Sequence, residues 1–140
     1  MAATDLNTVR STIEARLATE LASSPVIPVV FSNMAFDSTS EDTFVICEIS
    51  FGTGENISMG DSSSSNNFIN GLLTLDIFTE EGIGAGANFT IGKRLRDLYN
   101  RVTVSNVIFD SPVGPEILQS SPEGKFQTQL RFTFETFEEF

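Results

Sequence analysis

Few residues in this chain could do covalent chemistry. There is no His and a single Cys among 140 residues. A Ser-His-Asp or Cys-His triad, a His-containing zinc site and a haem ligated by His are therefore excluded. One Cys also excludes an intrachain disulfide and a four-cysteine metal site. Cys47 falls inside an apolar run and reads as a small core residue. The adjacent acids Glu41-Asp42, Glu80-Glu81 and Glu138-Glu139 make poor acid/base pairs, because neighbours in a strand point to opposite faces. Gly82-Ile-Gly-Ala-Gly86 sits where a phosphate loop would sit, between a strand and a helix. Its spacing matches neither a phosphate-loop motif nor a dinucleotide fingerprint, so it reads as a turn entering a helix. The Asp and Glu spacings match no calcium loop. These counts point to a protein that is not an enzyme and holds no cofactor or metal.

The charges are more informative. Eight Lys and Arg stand against 19 Asp and Glu, for a net charge of −11. That balance argues against a nucleic-acid-binding face, which needs clustered cations to neutralise phosphates. Four of the basic residues, Lys93, Arg94, Arg96 and Arg101, cluster in one segment. They could simply complement the dipole at the end of a helix. They could equally form a patch that meets an acidic surface on another copy of the chain.

Elements that position these residues can be read from periodicity. Residues 5–22 form an amphipathic helix, with Leu6, Val9, Ile13, Leu17 and Leu21 on one stripe. Thr4 or Asp5 caps its start, and Glu14, Arg16 and Glu20 lie off the stripe, in solvent. Residues 26–31 are a strand that Pro28 makes either an edge strand or a bulged one. Residues 32–42 are loop-like, and 43–51 form a second strand with apolar residues on both faces.

Residues 52–67 are rich in Gly, Ser and Asn, show no period and read as one flexible loop. Residues 68–79 form a third strand, with Ile69, Leu73, Leu75 and Ile77 on one face and Phe68, Leu72 and Phe78 on the other. A second helix covers 84–102, with Ala87, Ile91, Leu95, Leu98 and Val102 inward. A fourth strand spans 103–109, and a Pro- and Gly-containing loop covers 110–124. A strictly alternating fifth strand runs from Lys125 to Thr136. The order is α-β-β-β-α-β-β. It predicts one α+β domain over 1–140, a mostly antiparallel or mixed sheet of about five strands with both helices on one face. The longest apolar cluster, Val26 to Phe31, is far short of a membrane span, and the lack of an export signal points to the cytoplasm.

In that order the chain resembles the tail-terminator proteins of long-tailed bacteriophages, the minor-tail-protein-U-like group. The likeness is carried by the opening helix from Leu6 to Leu17 and by Pro28-Val-Val-Phe-Ser-Asn33. It continues through Thr74-Leu-Asp-Ile-Phe78, the Gly82–Gly86 turn, Leu95-Arg-Asp-Leu-Tyr99, Pro112-Val-Gly-Pro115 and the long terminal strand. The resemblance implies a virion protein without catalytic residues, assembled in the host cytoplasm. It implies a ring, hexameric in the family, on the head-proximal end of the tail tube. That ring ends tube polymerisation and joins the tail to the head connector. Its partners would be further copies of itself, the tail-tube protein and the connector or neck proteins, with DNA passing through the lumen unbound and no membrane involved. An acidic lumen would repel DNA phosphates, although −11 also serves plain solubility.

A ring of identical subunits needs one patch to meet a different patch on the next copy. Lys93, Arg94, Arg96 and Arg101 are the candidates for one side. Ile57, Met59 and Asp61 in the 52–67 loop are candidates for contact with the tube or a neighbour. Ordering about fifteen loop residues costs roughly 15 kcal/mol of backbone entropy. Offsetting that takes on the order of 600 Å² of apolar burial. Ile57 and Met59 are the loop's only apolar anchors, so pairing with a partner strand would have to help. Two other readings stay open: another neck adaptor or tube subunit of the same junction, and a small cytoplasmic enzyme or ligand-binding domain with an apolar pocket.

Overall fold

A computed structural model of the chain describes residues 6–23, 26–31, 43–56, 66–80, 82, 84–104, 107–118 and 125–139. Helix α1 is Leu6–Leu21 and helix α2 is Gly86–Tyr99. The strands are β1 (Val29–Val30), β2 (Phe44–Asn56), β3 (Asn66–Glu80), β4 (Thr103–Val104), β5 (Val107–Phe109), β6 (Val113–Leu118) and β7 (Lys125–Glu139). They form one mixed sheet in the order β1-β2-β3-β7-β5-β4, with β6 also pairing β7. The fold is α+β, as the periodicity implies, with seven strands rather than about five.

Three long antiparallel strands, β2, β3 and β7, make the centre of the sheet. β3 and β7 pair continuously from Asn66↔Glu139 to Glu80↔Lys125. Side chains alternate across the pleat, so one face carries Val45, Cys47, Leu73, Leu75, Ile77, Leu130, Phe132 and Phe134, all buried. Val9, Ile13, Leu17 and Leu21 of α1 and Leu95 and Tyr99 of α2 complete that cluster. Both helices therefore pack on the same face of the sheet.

Four expectations are corrected. The 52–67 segment is not one loop: Gly52–Asn56 continue β2 past a bulge and Asn66–Asn67 begin β3, with Glu55↔Phe68 and Asn56↔Asn67 in register. Residues 57–65, including Ile57, Met59 and Asp61, lie outside the described residues, as do Thr4, Asp5 and 32–42.

The 110–124 segment contains strand β6. It pairs Val113↔Arg131 and then Glu116↔Gln129, so Gly114 and Pro115 bulge opposite a single residue of β7. Gly114 has φ +104, and a Cβ there would stand 2.5 Å from the Gln129 carbonyl oxygen, so only glycine fits.

The third correction concerns α2, which is shorter than 84–102 and turned from its expected phase. It buries Asn88, Gly92, Leu95 and Tyr99, while Ala87 and Phe89 are exposed and Ile91 and Leu98 half-buried. Gly92 lets Pro115 of β6 come close; a Cβ would lie 3.1 Å from its ring. Tyr99 lies against Phe109 and Phe132 and donates to the Ile13 carbonyl oxygen of α1 at 2.8 Å.

The fourth is the 103–109 strand, which is two short strands, β4 and β5, paired antiparallel through Thr103↔Ile108 and Val104↔Val107.

Cys47 is 1% exposed, as its apolar surroundings in the sequence imply. Burial, reinforced by the charges of Glu14 and Glu48, pushes its thiol up to about 12. A raised thiol pKa favours the protonated folded state. Its contribution to stability is complete below the unfolded value near 9.0 and disappears as pH rises toward about 12. The native thiol should resist alkylation at pH 8 and react once urea unfolds the chain. Between pH 8 and 11 the urea midpoint should fall further for the native sequence than for Cys47→Val. Equal falls would show that thiol ionisation contributes nothing.

Candidate assembly surface

The turn into α2 passes through Gly82 and Gly84, at φ +95 and +87, and no side chain caps the helix at Ala85. The cationic segment that follows divides into four different environments. Lys93 is exposed and pairs with Asp97 one turn on, at 2.8 Å. Arg94 turns back to α1: its Nε donates to Glu20 Oε1 at 3.2 Å, and its Nη2 to the backbone oxygens of Glu20 and Ser23. These contacts fall on carbonyls at the end of α1, that of Glu20 also accepting from the Ser23 N–H at 3.2 Å. Arg94 is therefore a clamp between the helices, which accounts for its place in the cluster without a second subunit. Arg96 is half-buried, and its Nε is buried without an acceptor. Arg101 lies past the end of α2, exposed, with φ 52.

Glu14, Arg16 and Glu20, expected in solvent, are all half-buried. Arg16 donates through Nε and Nη2 to the Leu98 carbonyl oxygen, at 3.0 and 2.9 Å, with its guanidinium 5.9 Å from the centre of the Tyr99 ring. Positive charge thus satisfies the C-terminal end of α2. Beside it runs a shallow groove of about 450 Å³, lined by Arg16, Glu20, Leu98 and Val104 among others. Most of its lining comes from α1, and Val104 of β4 brings it to one edge of the sheet.

The second face of the sheet carries no helix among the described residues. One of its rows is Glu48, Thr74 and Arg131, and the next is Ile46, Asp76, Gln129 and Glu116. Arg131 pairs with Glu116, and Gln129 donates to the buried Asp76 carboxylate at 2.9 Å. At one end Phe44 stacks on Phe78, centroids 4.7 Å apart, with Lys125 Nζ 5.8 Å from the Phe44 ring centre. Glu48 is exposed and has no cationic partner among the described residues. Sequence reasoning passed over Arg16 and Glu48. For Glu48 a signal existed: it is the one charge inside the apolar run from Phe44 to Phe51. For Arg16 none did, because its role depends on where the end of α2 falls.

Together these features define a two-layer α+β domain with both helices on one face of its sheet. No protein-family model matches the chain, and no curated protein is similar to it. Fourteen chains of solved structures do match. One, a protein carrying no functional name, superposes with a TM-score of 0.68 at 11% identity, over 95% of this chain and 96% of its own. At that identity the likeness shows the fold alone. No helix among the described residues is long and apolar enough to cross a membrane.

Proposed function

We propose that this chain is a structural subunit of a phage head–tail junction. It forms a ring, hexameric in the first instance, that caps the head-proximal end of the tail tube, ends tube polymerisation and joins the tail to the head connector. In this reading it is a virion protein with no catalytic role, and DNA passes through the ring unbound. The observation that carries the reading is the order of features along the whole chain, from the opening helix to the long alternating strand. The arrangement of the fold supports it. Both helices lie on one face, so the second face, which carries no helix among the described residues, and two dissimilar edges can meet neighbours. The two side chains with the most displaced ionisation, Cys47 and Tyr99, lie in the helix–sheet core, where burial raises both.

The test is assembly in the presence of the cognate tail-tube protein. Light scattering behind a sizing column, with electron microscopy of the tubes, should give a species of six 15.3 kDa subunits, alone or at tube ends, and tubes that stop growing. A tube subunit would instead stack into long tubes. A chain that stays monomeric beside growing tubes would overturn the reading.

A further inference from the structure

We infer that neighbouring copies overlap like tiles, the groove lined by Arg16 at the β4 edge of one copy receiving the Ile46–Glu48 segment of β2 from the next. This inference rests on the ring reading and adds the surfaces that would close the ring.

The charge inventory leads to it. The helix layer, with Arg101 just after it, holds six cations and three carboxylates. Those three, Glu14, Glu20 and Asp97, are paired with Arg10, Arg94 and Lys93. Arg16, Arg96 and Arg101 are left without a carboxylate among the described residues. Arg16 lines the β4-edge groove, and Arg101 lies two residues before β4 begins. That edge therefore carries uncompensated positive charge.

The opposite edge is its complement. β2 contains Glu48 and Glu55 and no cation. Among the described residues, β1 pairs with it at Val45 and Ile46. Glu48 is exposed, and Ile46, two residues earlier on the same face, is half-buried. Beside the cations, the groove offers the half-buried apolar side chains of Leu98 and Val104. One β2 segment can thus set an apolar residue against an apolar floor and a carboxylate toward Arg16 of the groove and Arg101 just before β4. The faces also agree. The groove opens on the helix side of the sheet and Glu48 on the bare side, so overlapping copies bring the two together. Each copy uses both patches once, which is a heterologous contact able to close into a ring. The charges fix register and orientation more than they add affinity.

Charge exchange tests this directly. Arg101→Glu and Glu48→Arg change exposed residues, and their circular dichroism and thermal midpoints should match the native chain. Each alone should raise the concentration for half-assembly by about tenfold or more, because each creates a like-charge contact. An equimolar mixture should assemble like the native chain: alternating copies restore the native contact at one junction and a reversed pair at the next. Singles that assemble like the native chain would overturn the tiled contact while leaving the ring reading intact, and would point instead to backbone pairing along the sheet edges. A mixture that stays dissociated would also overturn it. A native chain that never assembles, with or without tube protein, would overturn the ring reading and this inference together.

Discussion

Replacing Gly71 by alanine is expected to cost about 3 kcal/mol of folding stability, a large effect for one methyl group. Gly71 lies in β3 directly opposite Phe134 of β7, on the face that packs against the helices. The Phe134 ring lies over the glycine, so a Cβ built there would meet three ring carbons at 2.2, 2.5 and 2.7 Å. No real contact is that short. The ring has little freedom to give way. It is 0% exposed, meets Phe51 edge-on at 5.9 Å and lies 5.7 Å from Phe109. Either β3 and β7 separate locally or the ring leaves its rotamer and opens a cavity. Both belong to the costly class of overpacking.

The measurement is the urea midpoint of Gly71→Ala. Gly86→Ala is the control, since no atom lies within 4 Å of the new methyl there. Combining Gly71→Ala with Phe134→Leu should give a loss smaller than the sum of the two, because leucine removes the ring the methyl strikes. A loss below about 1 kcal/mol in Gly71→Ala, or strict additivity with Phe134→Leu, would mean the ring can move aside.

Where one element met one environment, the sequence was legible. The α1 stripe, the helix-facing side of β3 and the alternation of β7 match, because the helix layer buries one side of each and period reports it; on the other side of β3, Asp76 and Phe78 are buried as well. Reading failed where a residue's role depended on a partner far along the chain. Gly114 and Pro115 look like loop punctuation, yet they form a bulge in an edge strand that seats Pro115 on Gly92. α2 was misphased because its apolar residues suggested one face, while the buried face is built around a glycine and an asparagine. The cationic cluster looks uniform in sequence. In the fold it separates into a surface pair, an interhelix clamp and two arginines without carboxylates, a division set by where α1 ends.

The asparagine on that face carries the second large effect. Asn88 sits in the first turn of α2 and is 0% exposed. Its Nδ2 lies 3.2 Å from the Ile77 carbonyl oxygen, 3.3 Å from that of Phe126 and 3.3 Å from Thr128 Oγ1. Its Oδ1 accepts from Thr79 Oγ1. One side chain thus joins the start of α2 to β3 and β7, and Thr79 and Thr128 are themselves fully buried. Asn88→Leu keeps much the same volume and strands both hydroxyls. At about 1–3 kcal/mol for each buried group left unsatisfied, a loss of about 3 kcal/mol is expected.

Asn88→Asp separates hydrogen bonding from size. At pH 7 it places a carboxylate beside two carbonyl oxygens in a buried site, so it should cost at least as much as leucine. It should recover partly in acid, where the protonated group can donate again; burial raises such a pKa and moves the recovery toward neutral pH. The decisive comparison places Asn88→Leu in a Thr79→Val, Thr128→Val background. If the network acts as a unit, an all-apolar patch of the same shape should remove most of the penalty, since no side-chain hydroxyl is left unpaired. An undiminished penalty would mean that Asn88 acts alone. A shrinking one would give the asparagine a positional role. Leucine can pack at several rotations of the helix, whereas an amide with four partners is satisfied at one. That rotation turns Tyr99 into the core and sets the end of α2 against Arg16, where the β4-edge groove lies.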